Sequence, residues 1–262
     1  MEKLVPAAFD AGIRCIIAPW IPDRRGNDDL VTALNLAGGH SAFWGYEDYI
    51  SLSTDSWESH LAALPVKKRN RIKADDRKAA AVGFSITRVD GAAIRPYAER
   101  IAELTCLNRE KNGGGEEPAH ILGLLTGLLD EDADVRTYLG FKDDTLVASC
   151  VTIHKNHRLF IKWVGFDYAA IGERSGIYFA LVMNAPVRDA CSEGLRTVEF
   201  GAGAHEAKAC AAALLGRSLL PWFWPTRACV LRPRAGSTPS AVAGRSPSAT
   251  PPNPLLHELS PC

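Results

Sequence analysis

Apolar positions along this chain switch between period-two runs and stripes spaced by three and four residues, so strands and helices alternate. Arg14 to Trp20 is a short apolar run closed by Pro19 and Pro22 and predicts a strand. Asn27 or Asp28 caps a helix through Leu30, Leu34 and Ala37 that Gly38-Gly39 stops. Tyr46–Ser53 reads as a strand, Ser56 caps a segment with Trp57, Leu61 and Leu64 on one face, and a helix follows from Val66 to Ala81. Phe84–Val89 alternates and predicts a strand. Ala92–Glu110 carries Ile94, Tyr97, Ile101 and Leu104 as one buried stripe. Gly113-Gly114-Gly115 breaks the chain before a helix over Pro118–Leu129.

Three strands come next, Val135–Phe141, Thr145–His154 and Arg158–Gly165, joined by the short polar turns Lys142-Asp143-Asp144 and Lys155-Asn156-His157. A long helix near Ser175–Glu193, a strand Thr197–Gly201 and a helix from about His205 to Leu214 complete the order. The pattern predicts a mixed sheet flanked by helices, an α+β fold.

Composition changes the picture at one end. From Arg227 to Cys262, seven prolines and seven Ser or Thr fall in 36 residues, and no period survives. Residues 227–262 therefore read as a disordered tail. Its Arg/Pro/Ser/Ala character is also that of a GC-rich gene read out of frame, which points to a fragmentary or frameshifted product. Thirty basic residues balance thirty acidic ones, which excludes nucleic-acid binding by net charge alone but not by a local patch. No apolar run is long enough for a membrane span, and no secretory signal is visible. Seven scattered cysteines, never spaced C-x-x-C, argue against a disulfide framework or a zinc site and for a reducing cytoplasm.

Chemistry concentrates between Trp163 and Trp224. A strand ends at Gly165, a loop of about ten residues follows, and a helix begins near Ser175-Gly176. Free N–H groups at a helix start, beside a small residue, can cradle a cofactor phosphate or an acyl carrier. The alternative is that Gly172 and Gly176 only shape a loop.

These segments resemble the GNAT acyltransferase superfamily, in its Fem-type, peptidoglycan-biosynthesis branch. The resemblance rests on Gly165-Phe166-Asp167 and its loop, Tyr178-Phe179 opening a helix, Pro186 and Ala190 within it, and Gly194 ending it. It continues through Gly201, Gly203 and Lys208 (G-x-G-x-x-x-x-K) to Leu220-Pro221-Trp222. Upstream, Ala18-Pro19-Trp20-Ile21-Pro22 and the basic helix match the same branch. The glycine-rich pyrophosphate signature of GNAT proteins is absent, and Gly172-Glu173-Arg174-Ser175-Gly176 is a distant echo of it. The resemblance implies a GNAT-like, largely antiparallel sheet, with a partial first GNAT-like half at 1–82 and an acyltransferase domain at 83–226.

It further implies an N-acyltransferase that joins an acyl group to the amine of a small molecule or peptide, with no permanently bound cofactor. The donor stays open between acyl-CoA, a carrier-protein thioester and an aminoacyl-tRNA. A degenerate, non-catalytic binding module is the rival reading.

Lys208 could bind a donor phosphate or stabilise an oxyanion, or be a solvated helix lysine. His205 could accept the amine proton, or cap its helix. Glu199 could act as a base through water, or form a structural ion pair. Tyr178 could protonate a leaving thiolate or alkoxide, or belong to the core. Arg174, Ser175 and Gly176 would hold the donor. Gly201 and Gly203 would let substrate approach, and Asp167 would anchor the amine or cap a turn. Lys67, Lys68, Arg69, Arg71, Lys73, Arg77 and Lys78, offset by Asp75 and Asp76, suit transfer-RNA phosphates or form a solvated face. Trp222 and Trp224 would close the core.

Overall fold

A computed structural model describes residues 7–8, 10–13, 16–22, 28–52, 55–172, 175–201 and 223–231. Within them the chain forms β1 (Ile16–Pro22), α1 (Asp28–Leu36), β2 (His40–Ser51), α2 (Trp57–Ala63), α3 (Val66–Ala81) and β3 (Phe84–Asp90). Next come a 3-10 segment (Gly91–Tyr97), α4 (Ala98–Lys111), α5 (Pro118–Asp130), β4 (Val135–Lys142), β5 (Thr145–Lys155) and β6 (Arg158–Phe166). The short α6 (Tyr168–Ile171), a π-helical segment (Phe179–Asn184), α7 (Ala185–Ser192), β7 (Thr197–Gly201) and β8 (Phe223–Leu231) follow.

The strands form one sheet in the order β1-β8-β2-β7-β6-β5-β4-β3. Every pairing is antiparallel except β6 with β7. The GNAT-like, largely antiparallel α+β architecture is thus present. The meander β4-β5-β6 turns through two-residue loops, Asp143-Asp144 and Asn156-His157. All four loop residues have positive φ, as a hairpin turn that matches strand twist requires.

Helices cover both faces. Strand alternation sends Leu139, Val151 and Trp163 toward Ile101, Leu104, Ile121 and Leu125 of α4 and α5. Tyr138, Cys150, Phe166 and Val198 belong to the opposite cluster, with Trp57, Ile72, Leu181 and Val187. Arg88 and Arg136 tie that face to the end of α7. Arg88 reaches Asp189 at 3.2 Å and Glu193 at 2.5 Å, and Arg136 pairs with Glu193. Burial alone would raise the Glu193 carboxyl, but hydrogen bonds from both arginines outweigh it and hold it below the usual carboxylate range.

Four expectations need correction. The helix expected over 92–110 opens as a 3-10 segment containing Pro96, and regular α-helix begins at Ala98 because proline supplies no N–H to an α-helical ladder. The helix expected over 175–193 is π-helical before Pro186, where a wider turn makes room for the proline ring near the preceding carbonyls. The ten-residue loop after Gly165 contains α6. The tail expected from 227 begins inside β8, whose residues to Leu231 pair with β1 on one side and β2 on the other. Arg227–Leu231 holds no turn residue, so the strand continues past the expected boundary. Residues 232–262, Trp222 and the helix expected from His205 lie outside the described residues.

Helix α4 lies directly on β6. A Cβ on Gly165 would sit 2.7 Å from the backbone of Leu104 and Thr105. Gly165→Ala is expected to cost about 1–3 kcal/mol of stability by overpacking. An unchanged melting temperature would show that α4 yields freely.

Candidate functional site

The site forms where β6 ends. Strands β6 and β7 pair only at Arg158–Thr197, Leu159–Val198 and Phe160–Glu199. Beyond Phe160, β6 runs on to Phe166 beside β5, while Gly201 at the end of β7 pairs with Asp48 of β2. The parallel strands therefore part toward their carboxyl ends. At the end of β6, Asp167 caps α6 by accepting a hydrogen bond from the Ala170 N–H at 3.2 Å. Arg100 holds the same carboxylate at 3.1 Å. Of the two roles considered for Asp167, the turn cap is the one its contacts serve.

Beside this turn lies a cavity of about 500 Å³ lined by Lys111, Tyr168, Ile171, Gly172, Ser175, Gly176, Tyr178 and Phe179. Three residues expected at the site, Ser175, Gly176 and Tyr178, thus line one cavity. Gly176 has φ +77°, and a Cβ there would meet the Asp75 carbonyl oxygen at 2.6 Å. Its lack of a side chain lets α3 pack against this turn.

Tyr178 packs against Phe166 and Phe179, with ring centroids 5.9 and 5.4 Å away. Burial first, then electrostatic coupling to Cys150, Tyr168 and Asp48, pushes its phenol up to about 12. It therefore stays protonated at neutral pH and suits a proton donor better than a base. Glu199 is 5 % exposed, accepts from the Thr197 hydroxyl at 3.2 Å and lies 3.8 Å from the Arg158 guanidinium. Those contacts match the structural ion pair considered for it. Gly201 ends β7 at φ +68°, with open space where a Cβ would stand.

Sequence reasoning missed Asp48 and Lys111. Asp48 is 4 % exposed and sits at a shift in register between β2 and β7. A carboxylate buried in the middle of a strand was the signal available. Lys111, the last residue of α4, lay outside every motif. Lys208, His205, Gly203 and Arg174 lie outside the described residues.

The basic helix α3 is partitioned by charge. Asp75 is buried and paired with Arg71 at 3.3 Å, while Asp76 accepts from Asn184 at 2.8 Å and pairs with Arg188 at 3.0 Å. Burial raises the Asp75 carboxyl, with Arg71 pulling it back. Arg69 donates to the Ala62 and Leu64 carbonyls at the end of α2. Lys67, Arg71, Lys73, Arg77 and Lys78 are exposed. Asp75 is used by Arg71 and Asp76 by Asn184 and Arg188, which leaves Lys67, Lys73, Arg77 and Lys78 as the cations of the outer face.

The acetyltransferase (GNAT) domain profile matches residues 66–209. That is more than half of the sequence, and the chain belongs to this family. No curated protein matches the sequence. Similar solved structures include a C-terminal domain assigned to a lysylphosphatidylglycerol synthetase of Agrobacterium fabrum, at TM-score 0.58 and 15% identity, covering 87% of this chain and 71% of that one. FemX is similar at TM-score 0.58 and 10% identity, covering 87% and 75%. L-PGS of Bacillus licheniformis is similar at TM-score 0.55 and 12% identity, covering 87% and 71%. At these identities the likeness is one of fold. Among the described residues no helix is long and apolar enough to cross a membrane.

The phenol of Tyr178 should titrate near pH 12 rather than the ordinary value of about 10. The difference in absorbance at 295 nm between the wild type and Tyr178→Phe measures it. A midpoint near 10 would mean that water reaches the hydroxyl freely.

Proposed function

We propose that this GNAT-family chain is an N-acyltransferase that joins an acyl group from a thioester donor to the amine of a small molecule or peptide. One observation carries the reading: a phenol held protonated by burial lies within the field of the buried Asp48 and lines a cavity beside the turn that follows β6. In this reading the donor lies against the end of β6 and the amine enters beside it. The gain comes from holding the two reactants together.

The amine nitrogen attacks the acyl carbon and forms the C–N bond, and the C–S bond then breaks. Asp48 takes the proton that the amine loses, directly or through water, and Tyr178 gives its proton to the departing thiolate. No covalent enzyme intermediate is needed. Residues 83–226 would carry this chemistry, with 1–82 as the partial first half. Lys208, His205 and Arg174 keep the roles that the family resemblance implies for them.

The experiment is thiol release from acetyl-CoA and longer acyl-CoAs with a panel of amines. Tyr178→Phe and Asp48→Asn should each lower kcat by roughly 100-fold, the usual worth of a positioned acid or base. Tyr178→Phe should leave the melting temperature nearly unchanged. If both variants turn over like the wild type, the assignment of acid and base fails.

A second reading, an aminoacyl-tRNA donor, is favoured by the outer face of α3, whose cations are exposed while its acids are paired. Reversing Lys67, Lys73 and Arg77 to glutamate should then abolish RNA binding and flatten its salt dependence. These three are better probes than Lys68 or Arg71, which are half-buried and paired with Asp75 respectively. A wild-type protein that binds no charged transfer RNA at low salt removes this reading and leaves acyl-CoA or a carrier-protein thioester.

A further inference from the structure

The cavity beside α6 departs from a glycine-rich phosphate cradle in two ways. The sequence from Gly172 to Gly176 lacks the repeated small residues that let a pyrophosphate approach successive N–H groups. The small size of Gly176 is also already used by α3, because the Asp75 carbonyl oxygen occupies the direction its Cβ would take. A carbonyl oxygen carries partial negative charge and disfavours a phosphate on that side. An anionic donor bound here needs positive charge from a side chain.

Lys111 supplies it. Its Nζ lies 3.5 Å from the centre of the Tyr168 ring. The Tyr168 hydroxyl donates to Asn108 at 2.6 Å, which fixes the ring as a platform under the ammonium. Among the described residues no carboxylate pairs with Lys111. The aromatic pair Tyr178-Phe179 also lines the cavity, and the Arg71 guanidinium stands 5.7 Å from the centre of the Phe179 ring. The cavity thus has aromatic surface with the Lys111 cation at Tyr168 and, at Phe179, a guanidinium already paired with Asp75. That combination suits a phosphate ester joined to an aromatic base or an apolar arm.

We infer that Lys111 is the residue that binds the phosphate of the acyl donor, in place of the absent glycine-rich cradle. The inference rests on the acyl-transfer reading above. Coenzyme A and the 3′ end of a transfer RNA share the required chemistry, phosphate esters next to an aromatic base. A lysine serving only to offset the α4 dipole would not discriminate among ligands.

The test is calorimetric titration of the wild type, Lys111→Met and Lys111→Arg with coenzyme A, with a short RNA hairpin ending in CCA, and with phosphate-free pantetheine. Whichever phosphate-bearing probe the wild type binds should bind Lys111→Met about tenfold more weakly, the effect of losing one charge-assisted hydrogen bond. Lys111→Arg should restore most of that affinity, and pantetheine should bind all three alike. Preference for coenzyme A or for the hairpin identifies the source of the phosphate. Lys111 is exposed at a helix end, so equal melting temperatures are expected for the three proteins. Undiminished binding of the phosphate-bearing probe by Lys111→Met overturns the inference while leaving the acyl-transfer reading standing. A wild type that binds none of the three probes overturns the inference, while thiol release from a carrier-protein thioester would still uphold acyl transfer.

Discussion

Hydrogen bonding between β6 and β7 stops after Phe160, and the candidate site depends on that stop. A parallel pair needs a crossover, and here the crossover is the π-helical segment and α7, laid across one face of the sheet. The crossover returns the chain to pair briefly with the start of β6, after which the strands part. β6 is held by β5, which pairs with it on both sides of a bulge at Lys162, and by α4, which packs on Gly165. β7 is drawn the other way by β2, through Asp48–Gly201 and Tyr49–Glu199.

The crossover is held in place by polar as well as apolar contacts. Asp76 of α3 binds both Asn184 of the π-helical segment and Arg188 of α7, and Gly176 lets the same helix approach at Asp75. At the far end, Glu193 is gripped by Arg88 and Arg136 from neighbouring strands. The use of Asp75 and Asp76 in such contacts has a second consequence, because it leaves the outer face of α3 to lysine and arginine. A helix whose acids are needed for packing acquires a cationic surface from an otherwise ordinary composition.

Tyr178 shows how packing and chemistry meet. Its ring fills space between Phe166 and Phe179, as a core aromatic would, yet its hydroxyl belongs to a residue that lines the cavity. The core and proton-donor roles are therefore compatible, since the burial that packs the ring is also what keeps the phenol protonated.

Local pattern was enough for most elements. α3 spans Val66–Ala81 and β7 spans Thr197–Gly201 as periodicity and capping predict, and the β4-β5-β6 meander follows from two polar turns. Such features depend on neighbours along the chain. The resemblance at Gly165–Asp167 and Tyr178-Phe179 rests on local segments for the same reason, and the structure sets a cavity beside them. Non-local facts were out of reach. β8 was hidden because its second half shares the arginine- and alanine-bearing composition of residues 232–262, and its partners β1 and β2 are far away in sequence. Asp48 and Lys111 sit in an ordinary strand and at an ordinary helix end, and they become candidates only because the sheet brings one into the field of Tyr178 and α4 sets the other over Tyr168. The sequence by itself determined the order of most elements and singled out the turn beside the candidate cavity. Tertiary structure decided which charges face that turn, because burial and distance belong to contacts that the chain makes only once folded.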